Sequence, residues 1–145
     1  MAQIKQADME ARKVIGPRVS ADLTHRVIGL AMRVHSELGP GFLKSVYERA
    51  ILVELREAGL NAEAQVPLRV MYRQKHEVGS FIADIVVEDC LILELKALAT
   101  LPPVAMAQLQ TDLRCTGFQV GLLLNFGKPR LDFQRAVFNY QEPQA

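Results

Sequence analysis

The stretch FIADIVVEDCLILELKAL, residues 81–98, decides the fold of this chain. Two runs of branched and aliphatic residues flank a polar segment, which is typical of two buried strands joined by a tight turn. One acid interrupts each run: Asp84 in the first and Glu94 in the second. An unpaired charge is costly inside a protein, so the sequence predicts that each acid has a partner or a specific role.

The length of the turn decides where the two acids point. A three-residue turn pairs Val87 with Leu91 and sets Asp84 opposite Glu94, with Cβ atoms roughly 4.5–5.5 Å apart. Lys96 follows Glu94 by two residues and therefore lies on the same face of the sheet. A two-residue turn would instead place the acids on opposite faces.

The three charged groups suggest a chemistry if they share a face. Two carboxylates this close repel each other, and hard oxygen ligands favour Mg²⁺ or Mn²⁺ between them. The Leu95 carbonyl is a candidate third ligand, and the Lys96 amine would activate water or stabilise a phosphorane-like transition state. These groups are suited to cutting a phosphodiester. The structural alternative is a solvated ion pair of Glu94 and Lys96, with Asp84 a chance third charge.

Outside this hairpin the sequence predicts further helices and strands in the order α-α-β-β-β-α-β-(β), which is a mixed sheet flanked by helices in the α/β class. The helices are predicted from a Thr24 cap to Gly39-Pro40-Gly41, from about Leu43 to Ala58, and from Pro102-Pro103 to near Gly117. The strands are predicted at 65–72, 78–89, 91–98 and 119–126, and 130–140 is a final edge strand or a short helix.

Composition suits one cytoplasmic domain. The chain has 145 residues, half of them hydrophobic, a net charge of +1 and two cysteines without zinc-ligand spacing. These features predict a reduced protein without a membrane span. We expect an N-terminal arm of uncertain structure at 1–20, one domain at 21–140 and a short tail at 141–145. A net charge near zero neither favours nor excludes a nucleic-acid partner.

The spacing D-x9-E-x-K across a hairpin resembles the PD-(D/E)XK nuclease superfamily and, within it, the bacterial family named GxxExxY. Four segments carry this similarity and span about residues 24 to 138: VHSELGPGFLKSVYERAILVELREAG (34–59), FIADIVVEDCLILELKAL (81–98), AQL (107–109) and GLLLNFG (121–127). D-x9-E-x-K alone is a weak signal, whereas its combination with the other segments is specific.

The resemblance implies a metal-dependent nuclease acting on DNA or RNA, and it leaves a homodimer open because many nucleases of this superfamily pair up to cut two strands. Asp84 and Glu94 would hold Mg²⁺ or Mn²⁺, and Lys96 would be the catalytic amine. Gln108 would be a polar residue lining the site, and Tyr47 matches the tyrosine of the family.

Three departures from the family pattern qualify this expectation. Lys44 stands where the family has its glutamate, Ala105 where it commonly has a histidine, and Asp112 where it has a tyrosine. Glu48, one helical turn after Lys44, is a candidate replacement ligand. The competing hypothesis is an inactive nucleic-acid-binding or assembly module in which Lys44 neutralises the acids.

Two further residues have structural interpretations. His35 matches the family pattern, but its place near a helix end favours an interaction with the helix C-terminus over general-base catalysis. Tyr47 lies on an apolar helix face, so we expect a core tyrosine whose hydroxyl reaches the site or a backbone carbonyl.

Overall fold

The computed structural model describes residues 19–140. Most of the predicted N-terminal arm and all of the predicted tail, residues 1–18 and 141–145, lie outside the described residues. The elements in chain order are α1 (Ala21–Leu38), α2 (Lys44–Glu57), β1 (Ala62–Tyr72), β2 (His76–Val87), β3 (Leu91–Lys96), α3 (Pro103–Thr116), β4 (Val120–Asn125) and β5 (Asp132–Val137).

The five strands form one mixed sheet in the order β1-β2-β3-β4-β5. Only β3 and β4 are parallel, because α3 crosses over between them; the other neighbours are antiparallel. The predicted α/β fold is therefore confirmed, and the last segment is an edge strand rather than a helix. None of the helices in the described region is long and apolar enough to cross a bilayer.

Helices cover both faces of the sheet. Apolar residues of α1 and α2, such as Val27 and Ile51, pack on one face with Leu93 and Leu122. Leu109 and Leu113 of α3 pack on the other face. The end of the sheet where β3 and β4 finish is thereby enclosed by the start of α2 on one side and by α3 on the other.

Helix α1 begins earlier than the sequence indicated. Ser20, not Thr24, is the N-cap, because its hydroxyl oxygen accepts a hydrogen bond from the Leu23 N–H at 3.0 Å. Thr24 lies inside the helix and donates its hydroxyl to the Ser20 carbonyl at 3.2 Å. Val19 is 1% exposed, so the core already includes the last residues that the sequence assigned to the arm.

Strand β1 also begins earlier than predicted, at Ala62 rather than Gln65. Gln65 has a φ of 54° and is skipped in the pairing, which passes from Ala64↔Ile85 to Val66↔Ala83. This break in the pairing leaves the register unchanged, and β1 passes there from one core to the other: Ala62 belongs to the first and Val66 to the second. Because Ala62 and Val66 are four residues apart, an unbroken strand would put them on one face, so the local sequence does not reveal this change.

Candidate active site

The turn between β2 and β3 has the length that brings the two acids together. Val87 pairs with Leu91 and Ile85 pairs with Leu93, so three residues separate the strands. Glu88 and Asp89 adopt left-handed φ values of 51° and 54°, and the Cys90 N–H donates to the Val87 carbonyl at 3.1 Å.

Asp84 and Glu94 lie just beyond the last paired residues, and their side chains replace the missing rungs of the ladder. The Leu95 N–H donates to Asp84 Oδ2 at 2.8 Å. In return, the Asp84 N–H donates to Glu94 Oε1 at 3.4 Å. Each carboxylate thus satisfies a backbone donor of the neighbouring strand at the point where the two strands separate.

Lys44 closes the site from the start of α2. Its Nζ lies 2.8 Å from Asp84 Oδ1, and the Asp84 side chain is 8% exposed against 41% for Lys44. A lysine in the first turn opposes the positive end of the helix dipole, so the helix alone disfavours it there. The nearby aspartate offsets this cost. Within the part of the chain that the structure describes, Lys44 forms an ion pair with Asp84 and none with Glu94.

Tyr47 fixes the loop that leads into α2. Its hydroxyl donates to the Gly39 carbonyl at 2.5 Å and accepts from the Phe42 N–H at 3.2 Å. Its ring is fully buried and stacks on Phe126 with centroids 4.7 Å apart. Tyr47 therefore takes the second of its two expected orientations, toward a backbone carbonyl, and fixes where Lys44 begins its helix.

His35 contacts the other side of the same core. Its Nε2 hydrogen-bonds the Lys128 carbonyl at 2.8 Å, and its ring stacks on Phe126 at 6.2 Å. The His35 backbone carbonyl accepts the Gly39 N–H at 2.8 Å. These contacts tie the end of α1 to the loop after β4, which is a structural use of the side chain.

Lys96 ends β3, pairs with Asn125 and, by its two-residue spacing, lies on the same face as Glu94. No carboxylate of residues 19–140 forms an ion pair with its ammonium group. Beyond Lys96 the chain is held by Asn125, whose side chain accepts from the Leu98 N–H and donates to the Leu98 carbonyl, both at 2.9 Å. Asn125 therefore directs the chain away from the sheet just after the lysine.

Gln108 and Asp112 of α3 interact with each other. Gln108 Nε2 donates to Asp112 Oδ1 at 2.8 Å, an i,i+4 contact along the helix. Gln108 is itself exposed, whereas Asp112 is 8% exposed. The negative charge of Asp112 lies close enough to Glu94 to raise the pKa of that carboxyl. In the sequence, Asp112 stands out only as a departure from the family pattern. Its four-residue spacing from Gln108 was the signal that could have predicted their hydrogen bond.

The protonation of the acids follows from this environment. Burial raises the pKa of Glu94 from 4.5 to about 8, and the Asp84 charge adds to the rise, against the smaller lowering effects of the Asp84 N–H and of Lys44. Burial also raises the pKa of Asp112, although the hydrogen bond from Gln108 opposes this. Glu94 is thus mostly neutral at pH 7, and the negative charge of Asp84 is matched by Lys44.

This donor set does not fit a divalent cation. Both Asp84 oxygens already accept hydrogen bonds, and an ammonium group stands beside them. A protonated lysine offers no lone pair and repels a cation. Within residues 19–140, no three His, Cys, Asp or Glu side chains are grouped so as to hold a metal ion.

Glu48 and the Leu95 carbonyl, the two further metal ligands predicted from the sequence, differ from each other in where they lie. Glu48 Oε1 accepts a hydrogen bond from Gln65 Nε2 at 2.8 Å, so this acid interacts with the break in the pairing of β1. Leu95 directs its N–H toward Asp84. Because the N–H and C=O of one strand residue point to the same side, its carbonyl also faces the gap between β2 and β3.

Comparisons with known proteins found a family model and similar solved structures. A family model for the PD-(D/E)XK nuclease superfamily matches residues 21–136. The crystal structure of SSO0001 has a TM-score of 0.52 and 19% identity, over 70% of this chain and 52% of that one. The alkaline exonuclease LHK-Exo from Laribacter hongkongensis has a TM-score of 0.47 and 12% identity, over 90% and 76%. This chain thus spans about half the length of SSO0001, and the similarity between them shows the fold alone. No curated protein matches the sequence.

Proposed function

Because this chain belongs to the PD-(D/E)XK nuclease superfamily, we propose that it binds nucleic acid through a nuclease scaffold whose central site is neutralised by its own lysine. In this form the domain binds DNA or RNA without a metal ion and does not hydrolyse it. Membership in a superfamily of nucleases supports the choice of partner.

The contact of Lys44 Nζ with Asp84 Oδ1 at 2.8 Å carries the proposal. With Lys44 in place and Glu94 protonated, the buried acids are charge-balanced without Mg²⁺ or Mn²⁺. Because the charges of the acids are balanced, the site does not present the negative field that would repel a nucleic-acid backbone.

Calorimetry with Mn²⁺ tests the metal-free state. We expect no binding to the wild-type protein in the micromolar-to-millimolar range. Lys44→Glu restores the carboxylate of the family and should create binding in that range, while Lys44→Gln, which removes the charge without adding a ligand, should bind more weakly. Wild-type binding that disappears in Asp84→Asn would contradict the proposal.

A second candidate is metal-dependent phosphodiester hydrolysis, with the Mg²⁺ or Mn²⁺ that nucleases of this superfamily generally use. The shared location of Asp84, Glu94 and Lys96 at the end of one hairpin favours it. The 41% exposure of Lys44 also favours it, because a long exposed side chain can leave its partner at modest cost. Asp84, Glu94 and the Leu95 carbonyl would then be the ligands, with Glu48 the weaker candidate, Lys96 the catalytic amine and Gln108 a residue lining the site.

Cleavage assays separate the two functions. Purified protein is incubated with duplex and single-stranded DNA and RNA in the presence of Mg²⁺ or Mn²⁺. The binding function predicts no products beyond those of Lys96→Ala. Wild-type cleavage that Lys96→Ala and Asp84→Asn both abolish, while the variants stay folded, would establish hydrolysis instead.

Three finer assignments belong to the same proposal. We place the chain in the GxxExxY family on the strength of VHSELGPG and GLLLNFG. A cytoplasmic location is supported by Cys90 and Cys115, both free thiols. Pairing of two copies remains a prediction that size determination in solution can test.

A further inference from the structure

The β1–β2 hairpin extends well beyond the part of the sheet that anchors it. β3 pairs with β2 only from Ile85 to Val87, and β1 is the only strand that pairs with the rest of β2 in the described sheet. Leu68 packs in the same core as Leu109 of α3 at the base of the hairpin. Every residue from Tyr72 to Ser80 is exposed. The outer part of the hairpin is therefore a two-stranded ribbon that projects into solvent.

The tip of this ribbon is basic. The segment Tyr72-Arg73-Gln74-Lys75-His76 contains two cationic side chains and no acid. Arg73 lies over the Tyr72 ring, 5.2 Å from its centroid, which presents a flat cationic and aromatic surface. The nearest acid along the chain, Glu77, is paired with Arg69, whose Nε lies 3.3 Å from Glu77 Oε1. Arg73 and Lys75 therefore give the tip two positive charges that no nearby acid along the chain balances. The net charge of the entire chain is only +1.

The tip holds these side chains in an unfavourable backbone conformation. Arg73 and Gln74 have φ values of 51° and 58°, and the Lys75 N–H donates to the Tyr72 carbonyl at 3.1 Å. A turn with two successive left-handed residues normally uses Asn-Gly or Asp-Gly, because other residues are strained there. An arginine at the first of these positions does not favour the turn. Its presence there indicates that the side chain has a use other than stabilising the turn.

We propose that this ribbon is a DNA-contacting arm that enters the major groove of a B-form duplex, with Arg73 and Lys75 on the phosphates. The inference rests on the proposed nucleic-acid binding and names its surface and substrate class. The major groove of B-DNA is about 12 Å wide and admits a two-stranded ribbon, whereas that of A-form RNA is deep and narrow. Charge complementarity therefore favours nucleic acid, and the shape of the arm favours duplex DNA.

The geometry also sets a minimum length for the duplex. His76 at the tip is eight residues from Asp84 along β2, which is about 26 Å at roughly 3.3 Å per residue. At 3.4 Å per base pair, a duplex that reaches both the tip and the acid site spans about eight base pairs. Shorter duplexes can occupy only one of the two places.

The decisive variant replaces the tip by a better turn without its charges: Arg73→Asn, Gln74→Gly and Lys75→Gln together. Asn-Gly relieves the left-handed strain, so the thermal midpoint should stay equal or rise. Loss of DNA binding then cannot be attributed to unfolding. The matched control, Arg33→Gln with Arg49→Gln, removes two exposed charges from the helices.

Fluorescence anisotropy with a labelled 20-base-pair DNA duplex of arbitrary sequence measures the effect. We expect the tip variant to lose at least about tenfold in affinity at low salt, and the slope of log K against log salt to shrink by about 1.8 for two lost phosphate contacts. The control should change neither quantity. Duplex RNA of the same sequence should bind the wild type more weakly and be little affected by the tip variant.

Each alternative outcome has one meaning. Wild-type protein that binds no DNA or RNA would overturn the proposed function, and the arm with it. Wild-type binding that the tip variant retains would overturn the arm alone. Equal loss for duplex RNA and duplex DNA would show a generic basic contact and overturn the groove assignment.

Discussion

The two acids of the hairpin can lie close together because the charge of one is balanced by a cation and the other is held uncharged. Asp84 is ion-paired to Lys44, and Glu94 is held neutral by burial and by the negative charge beside it. The sequence predicted the pairing of these acids because it depends only on a three-residue turn. It did not predict which acid would keep its proton, since that depends on packing from α2 and α3.

Glu94 should make the protein less stable as the pH rises. Its pKa goes from 4.5 when unfolded to about 8 when folded, so between these values the unfolded state alone releases the proton. Stability is thus lost from about pH 4.5 and the loss is complete above pH 8, with an upper limit of about 5 kcal/mol. Glu94→Gln should therefore raise the thermal midpoint much more at pH 9 than at pH 5.

The control for this measurement is Glu37→Gln, on the exposed surface of α1. It should change the midpoint little and equally at both pH values. If the difference in thermal midpoint between Glu94→Gln and the wild type were the same at pH 9 as at pH 5, the Glu94 carboxyl would not be neutral in the folded state.

The two cysteines should differ in reactivity. Cys90 is 6% exposed, and burial together with the acids of the turn raises the pKa of its thiol to about 11. At pH 8 only about one Cys90 thiol in a thousand is ionised, whereas Cys115 is partly exposed on α3. Alkylation followed by mass spectrometry should label Cys115 on the order of a hundredfold faster. Equal rates in the folded protein would contradict the packing of the β2–β3 turn.

At the scale of elements, sequence patterns identified each helix and strand within residues 19–140 but missed where β1 changes face. Gln65 is left out of the pairing between β1 and β2, and its side chain hydrogen-bonds Glu48 of α2. These are contacts between distant parts of the chain, so no local pattern encodes them. The Lys44–Asp84 pair also joins residues 40 apart, so the sequence offered it only as one hypothesis, drawn from the place of Lys44 in the family pattern.

Two glycines should respond oppositely to alanine. A Cβ at Gly127 would lie 2.4 Å from both the N and O atoms of Leu98, in the loop that Asn125 anchors. Backbone cannot yield as a flexible side chain does, so Gly127→Ala should cost about 1–3 kcal/mol. Gly29 has no atom within 4 Å of an added Cβ and lies in α1, so Gly29→Ala should gain about 0.5–1 kcal/mol. Chemical denaturation measures both, and a neutral Gly127→Ala would show that the loops separate easily.

At the scale of the whole molecule, metal should affect stability only when Lys44 is replaced. Ligands that bind the folded state stabilise it by mass action, by about 2.7 kcal/mol at a hundredfold excess over Kd. Mn²⁺ should therefore leave the thermal midpoint of the wild type unchanged and raise that of Lys44→Glu. Lys44→Glu combined with Asp84→Asn should lose most of this gain. A rise for the wild type would mean that the ammonium yields its place to the ion.

The hydrogen bonds that cross from each acid to the backbone of the other strand give these residues a duty independent of any reaction. Removing either one would leave a backbone amide without a partner where the hairpin opens, so the folded chain needs both acids whether or not it cleaves a phosphodiester. The acidic signature alone therefore does not separate a domain that cleaves from a domain that only folds and binds. The residue that opens α2 bears more directly on this question, because its charge decides whether Asp84 is already balanced.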